Sequence, residues 1–93
     1  MVSITGLIAT DPTARIMKGG TLIVQFCITT EEDGDSGWTQ VVMFRKVAER
    51  AAAVLRRGSH ITVEGILKLS PWVDKDNITR WSKRMIAIHM EVS

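Results

Sequence analysis

Trp38, Gln40, Val42 and Phe44 stand two apart in the stretch WTQVVMF, and Arg45 and Lys46 follow immediately. In an extended strand, residues of one parity project from the same face. A strand with two aromatic rings on one face and two cations at its end can stack flat bases and hold phosphates. That chemistry is recognition without bond-making, and nucleic acid is the first partner to test. The rings could instead point into a core, but Val41 and Met43 of the opposite parity form a more conventional core pair.

Other reactive residue types give less. His60 and His89 are isolated, with no second nitrogen or sulfur ligand at metal spacing. Cys27, the single cysteine, has no partner for an internal disulfide and reads as a small buried hydrophobe in an apolar strand. Asp74 and Asp76 flank Lys75 just before Asn77, which suits a solvated turn better than an acid–base pair. No catalytic residue, metal or cofactor is expected, and a hydrolase or nuclease reading has no acid–base pair to build on. Trp72 follows Pro71 at a strand end, where a large aromatic is expected to be exposed or at an interface. Trp81 is open between base contact, a cap on the barrel and a subunit interface. Lys46, Arg57, Arg80, Lys83 and Arg84 form either a solvated surface or a functional strip. Their interleaving with three tryptophans in a chain without tyrosine favours the strip.

The chain of 93 residues suits one domain spanning 1–93, and its 45% apolar and 24% charged content is ordinary for a globular fold. No apolar run nears the roughly 20 residues needed to cross a bilayer, and no signal-peptide pattern opens the chain. A cytoplasmic protein with no membrane contact is the expectation. The net charge of +2 conceals an uneven distribution. Glu31, Glu32, Asp33 and Asp35 share one expected loop, and the rest of the chain carries 12 basic against 6 acidic residues. A basic body suits a polyanionic partner.

The elements that must position these residues follow from alternation. VSITGLIAT (2–10) reads as a strand bent at Gly6, and after Asp11-Pro12 the segment ARIM reads as a short returning strand. Lys18-Gly19-Gly20 is a turn. TLIVQFCITT is the second strand, with Leu22, Val24, Phe26 and Ile28 on one face. EEDGDSG (31–37) is a hairpin loop, and 38–45 is the third strand. A helix is predicted over 46–57 from the spacing of Val47, Ala48, Ala51, Val54 and Leu55, with Arg56 and Arg57 in its last turn and Gly58 closing it. HITVEGILKL is the fourth strand, with Ile61, Val63, Gly65 and Leu67 on one side; Pro71 is confined to an edge or beyond. ITRWSKRMIAIHMEV is the fifth. Five strands with one helix between strands three and four suit an all-β, five-stranded Greek-key barrel of the OB type. The Met85–Met90 segment is a candidate apolar face for a homo-oligomer to bury.

The motifs sharpen this. Gly6 with Asp11-Pro12, Gly19-Gly20, Trp38 with Val41-Val42, and Phe44 with Lys46-Val47-Ala48-Glu49 follow one another in order. Leu55 with Arg57-Gly58-Ser59, Val63-Glu64-Gly65, and Trp72 with Asp74-Lys75-Asp76 and Arg80 complete the set. Over nearly its full length the chain resembles the bacterial single-stranded DNA-binding protein (SSB) family. The resemblance implies an OB fold that binds single strands without sequence preference in replication, recombination or repair, usually as a homotetramer. It implies stacking by Trp38, Phe44 and Trp72, with Trp81 in the same region, and phosphate contacts from Lys46, Arg57 and Arg80. Lys68 joins them as a candidate binding residue.

Departures from the family pattern matter too. Glu31 and Glu32 stand where a further aromatic is common, Leu7 and Ile66 where arginine is common, and Pro71 where a basic residue precedes the tryptophan. Weaker DNA binding is expected. No linker or acidic, phenylalanine-ended tail follows Ser93, so tail-mediated recruitment of replication enzymes is not expected; a shortened sequence would account for this equally well. The alternative is a dimeric OB interaction module of a primosome, resembling the PriB type, with DNA as one partner among several.

Overall fold

The structure, a computed structural model, describes residues 1–30 and 38–92. The expected acidic loop with Glu31, Glu32, Asp33 and Asp35 lies outside the described residues. The elements are β1 (Val2–Ile8), β2 (Thr13–Ile16), β3 (Leu22–Thr29), β4 (Trp38–Phe44), α1 (Arg45–Val54), β5 (His60–Val73) and β6 (Thr79–Val92). The short returning segment is a strand in its own right, so the helix falls between β4 and β5. Its place after the Trp38 strand is as expected.

The sheet runs β1-β5-β6-β4-β3-β2, and β1 also pairs with β3. That last pairing closes β1, β5, β6, β4 and β3 into a five-stranded barrel of the OB type, with β2 annexed to the first half of β3. The β4–β6 pair is parallel and the others antiparallel. Closure depends on two glycines. At Gly6 the strand β1 leaves β5 for β3, and a Cβ there would overlap the Thr29 carbonyl oxygen. At Gly65 the β5–β6 register shifts, and a Cβ would overlap the Ile86 carbonyl oxygen. Only a residue without a side chain admits such close backbone approach.

Strand alternation fills the interior as expected. Ile8, Val24, Phe26, Ile28, Val41, Met43, Ile61, Val63, Met85, Ala87 and Met90 form the core, and Ala48, Ala51 and Leu55 close one end from the helix side. Burial of each large side chain contributes about 1.5–3 kcal/mol. Met85 and Met90 are thus core residues rather than an oligomer face; of the apolar side chains in that segment only Ile88 is exposed and Ile86 half-buried. Cys27 is half-buried on the outer side of β3, because its parity opposes that of Phe26 and Ile28.

The helix is shorter than its apolar spacing suggests. It ends at Val54; Leu55 is already extended, with its N–H donating to the Ala51 carbonyl at 2.9 Å. Arg56 and Arg57 therefore lie outside it. Gly58 (φ +90°) serves a turn, not the helix cap, and its N–H donates to the Ile8 carbonyl at 2.8 Å. The chain leaves the helix early because Leu55 must reach the core while Gly58 meets β1.

β5 and β6 are 14 residues each and outrun the barrel. β1 accompanies β5 only to Gly65, and β4 accompanies β6 only from Lys83 onward. Residues 68–73 and 79–82 thus project as a two-stranded ribbon. Pro71 lies within it, where β5 has no second neighbour, consistent with its expected confinement to an edge.

Candidate nucleic-acid interface

β4 sorts its side chains as its alternation demands. Thr39, Val41 and Met43 are sealed inward, while Trp38 (56% exposed) and Phe44 (39%) face out. Trp72 (47%) and Trp81 (59%) are also open to solvent. Val42 faces outward by parity yet is nearly buried, beside Ile86 and Gln25 in register.

Strand pairing assembles the outward residues into one front face. The parallel register sets Gln40 opposite Arg84, and Arg84 donates from Nε and Nη2 to the Gln40 Oε1 at 3.4 Å each. Across the other edge of β6, Lys68 stands opposite Arg84. Among the described residues neither cation pairs with a carboxylate. Two like charges opposite one another are unfavourable, and an anionic ligand would relieve them. Above this row Trp72 faces Arg80. Trp38 precedes the Thr39–Lys83 pair and so lies alongside Ser82, one step down the face from Arg80.

The ribbon tip fixes Arg80. Its Nε donates to the Asp74 Oδ2 at 2.6 Å, and the Asp74 Oδ1 accepts from the backbone N–H of Asp76 (2.9 Å) and Ile78 (3.0 Å). The Arg80 hydrogen bond, followed by that from Ile78, holds the Asp74 carboxyl below the usual aspartate range. The expected solvated turn is therefore a turn organised by one carboxylate, to which Asp76 gives its backbone N–H.

At the other end of β4 the chain swings into the helix. Phe44 is extended, Arg45 takes a left-handed φ of +58°, and the first turn of α1 has neither a side-chain cap nor an acidic residue. Residues Phe44–Val47 and Ile86–Ile88 line an open groove of about 440 Å³, with Lys46 on its rim. Trp38, Phe44, Lys46, Lys68, Trp72 and Arg80 thus lie along one route from the ribbon to the helix. Arg57 and Trp81 lie off it. Arg57 follows the helix and precedes Gly58, which bonds to the end of β1 where β5 begins, whereas the ribbon is the far end of β5. Trp81 pairs with Pro71, so alternation sets it on the reverse face of the ribbon from Trp72. The central position of Arg84, one of the five cations of the candidate strip, depends on the β4–β6 register. Its even parity with Arg80 is the signal that could have marked it.

His60 and His89 are both exposed, and among the described residues no group of His, Cys, Asp and Glu could hold a metal ion. No helix among them is long and apolar enough to cross a membrane.

Known proteins resemble this chain in sequence and in fold. The model of the single-strand binding protein family matches residues 1–93. Single-stranded DNA-binding protein 1 of Xylella fastidiosa (strain 9a5c) is 32% identical over 101 aligned positions, covering 98% of this chain and 74% of that protein. The crystal structure of a small single-stranded DNA-binding protein from Streptomyces coelicolor superposes with a TM-score of 0.75 at 24% identity. It covers 99% of this chain and 92% of the other, a likeness of fold. With a match over its whole length and a relative at that identity, the chain belongs to the single-strand binding protein family.

Proposed function

We propose that this protein binds single-stranded DNA without reading its sequence and performs no catalysis. Bases stack on Trp38, Phe44 and Trp72, and phosphates follow Lys46, Lys68, Arg80 and Arg84. The observation that carries this reading is the front face itself: three outward rings bracketing a Lys68–Arg84 pair that no carboxylate among the described residues neutralises. Every base has a π-face, so stacking tolerates any sequence, at about 1–3 kcal/mol per base. Cations displace condensed counterions, which makes affinity fall steeply with salt. From Trp38 to Phe44 the strand spans about 20 Å, room for several unpaired nucleotides. Trp81 and Arg57 join only where a longer strand passes round the ribbon or the helix end. The names of the relatives support the ligand, and a role in replication, recombination or repair follows from it.

Titration with oligothymidine at two salt concentrations tests the proposal. Tryptophan emission is expected to be quenched and affinity to drop as salt rises; no quenching by a long oligonucleotide at low salt rejects it. We further propose a homotetramer. Leu7, exposed and apolar where the family often carries arginine, favours protein contacts as well. A dimeric solution mass would shift the reading toward the PriB-like interaction module.

A further inference from the structure

The ion pair at the ribbon tip brings a negative charge onto a face read here as a path for a polyanion. Asp74 is the more sheltered partner, its side chain 12% exposed against 52% for Arg80. It is also the more firmly held. Its Oδ1 takes two backbone N–H groups, its own N–H donates to the Ile78 carbonyl at 3.1 Å, and its carbonyl accepts from Asn77 at 3.1 Å. Asn77 completes the turn with a left-handed φ of +62°. Four hydrogen bonds thus anchor Asp74 in the turn before Arg80 is considered, two on its carboxylate and two on its backbone.

Arg80 meets this anchor through Nε alone. A guanidinium has five donors in a planar fork, and an Nε contact leaves both terminal amino groups for another acceptor. Cross-strand pairing sets the same residue opposite Trp72. The fork is therefore held beside the ring on which a base would lie, with its free edge available to the adjoining phosphate. An unrestrained arginine gives up much rotamer freedom when it grips an anion. One already fixed in its turn gives up less.

We propose that Asp74 is a positioning residue for single-strand binding, fixing the Arg80 fork beside Trp72 so that its terminal amino groups meet a backbone phosphate. The proposal rests on the single-strand reading above. It makes a prediction opposite to that of simple charge counting. Removing a carboxylate from beside a polyanion path should tighten binding; removing an anchor should weaken it.

Asp74→Asn separates the two, because its side-chain oxygen can still accept from the Asp76 and Ile78 amides while the anionic partner of Arg80 is lost. Wild type, D74N, R80A and the double variant are titrated with oligothymidine across a range of salt. D74N is expected to bind about three- to tenfold more weakly than wild type. R80A is expected to bind at least as weakly as D74N, with a salt slope shallower by about 0.7, one phosphate contact on a single strand. In the R80A background D74N should have no further effect. D74N binding as tightly as wild type, or more tightly, overturns the proposal. An equal loss in both backgrounds overturns it as well, since Asp74 would then act through the shape of the turn and Trp72. Absence of binding by wild type would instead remove the single-strand reading itself. Should D74N fail to fold, Arg80→Lys serves in its place: the charge stays, the planar fork goes. A several-fold weaker affinity at an unchanged salt slope is expected for R80K, and wild-type affinity would refute the positioning role.

Discussion

The same two strands build two unlike regions of this molecule. Over Ile61–Leu67 and Met85–Met90, β5 and β6 are barrel staves, contributing five sealed core residues between them. Over Lys68–Val73 and Thr79–Ser82 they form a ribbon in which every side chain is exposed. The barrel is held by apolar burial on its inner side. The ribbon has no interior, and a two-stranded hairpin alone is marginally stable in water. Its order comes from the barrel at its base and from the Asp74 network at its tip. If the proposed front face binds DNA, stability and binding are separated along these two strands, and the two should respond to substitution independently.

Breaking the barrel gives the largest expected effect. Met43 is fully enclosed, and Met43→Ala should cost about 2–5 kcal/mol of stability, a large part of what a small domain has. Gly6→Val should be at least as damaging, because its first carbon already meets the Thr29 carbonyl. Urea denaturation monitored by circular dichroism measures both. A loss below about 1 kcal/mol for Met43→Ala would show that this stave is not closed in solution.

Trp72→Ala tests the other half of the contrast. Binding to oligothymidine should weaken by about 1–3 kcal/mol, while stability stays within about 0.5 kcal/mol of wild type. A stability loss as large as the binding loss would mean that the ribbon belongs to the folding core after all. Trp81→Ala sharpens the contrast within the ribbon. Because Trp81 lies on the reverse face, an oligonucleotide just long enough to cover the front route should bind the variant as well as wild type. A deficit should emerge only with longer strands that turn round the ribbon. An equal deficit at all lengths would put Trp81 on the front path.

How much of this was legible in the sequence follows the same division. The staves are, because each alternates against one interior: Trp38 and Phe44 face out for the reason that Val41 and Met43 face in. The helix stop is not, because it depends on the Ile8 carbonyl, which lies about 50 positions earlier and comes near only when the barrel closes. The front and reverse of the ribbon are equally hidden. There β5 sets Lys68, Ser70 and Trp72 against Leu69, Pro71 and Val73, and β6 sets Arg80 and Ser82 against Thr79 and Trp81; each side carries one ring or none, and only pairing shows that Trp72 shares a face with Arg80 while Trp81 opposes Pro71. Asp74 looked like any turn aspartate, since nothing in DKDN indicates that a guanidinium six residues on will fold back onto it.

The smallest effect is expected from acid, and it should be confined to the ribbon. Asp74 has its folded pKa lowered from the usual 3.8, first by the Arg80 hydrogen bond and then by those from Ile78 and Asp76. Between the lowered value and the usual one, the unfolded or frayed turn binds more protons than the folded turn. The stabilisation is therefore complete above the usual value and lost as pH falls through the lowered one. No charged side chain is buried in the barrel among the described residues, so protonation there uncovers no stranded charge. Chemical shifts of the Asp76 and Ile78 amides and the Arg80 Nε–H, followed by NMR from pH 6 downward, should move together with a midpoint below 3.8. Amides of Val63 and Met85 should hold their positions through that step. A tip transition at or above the usual value would show that these donors do not hold the carboxylate. One shared with the barrel would show that ribbon and barrel unfold as a single unit.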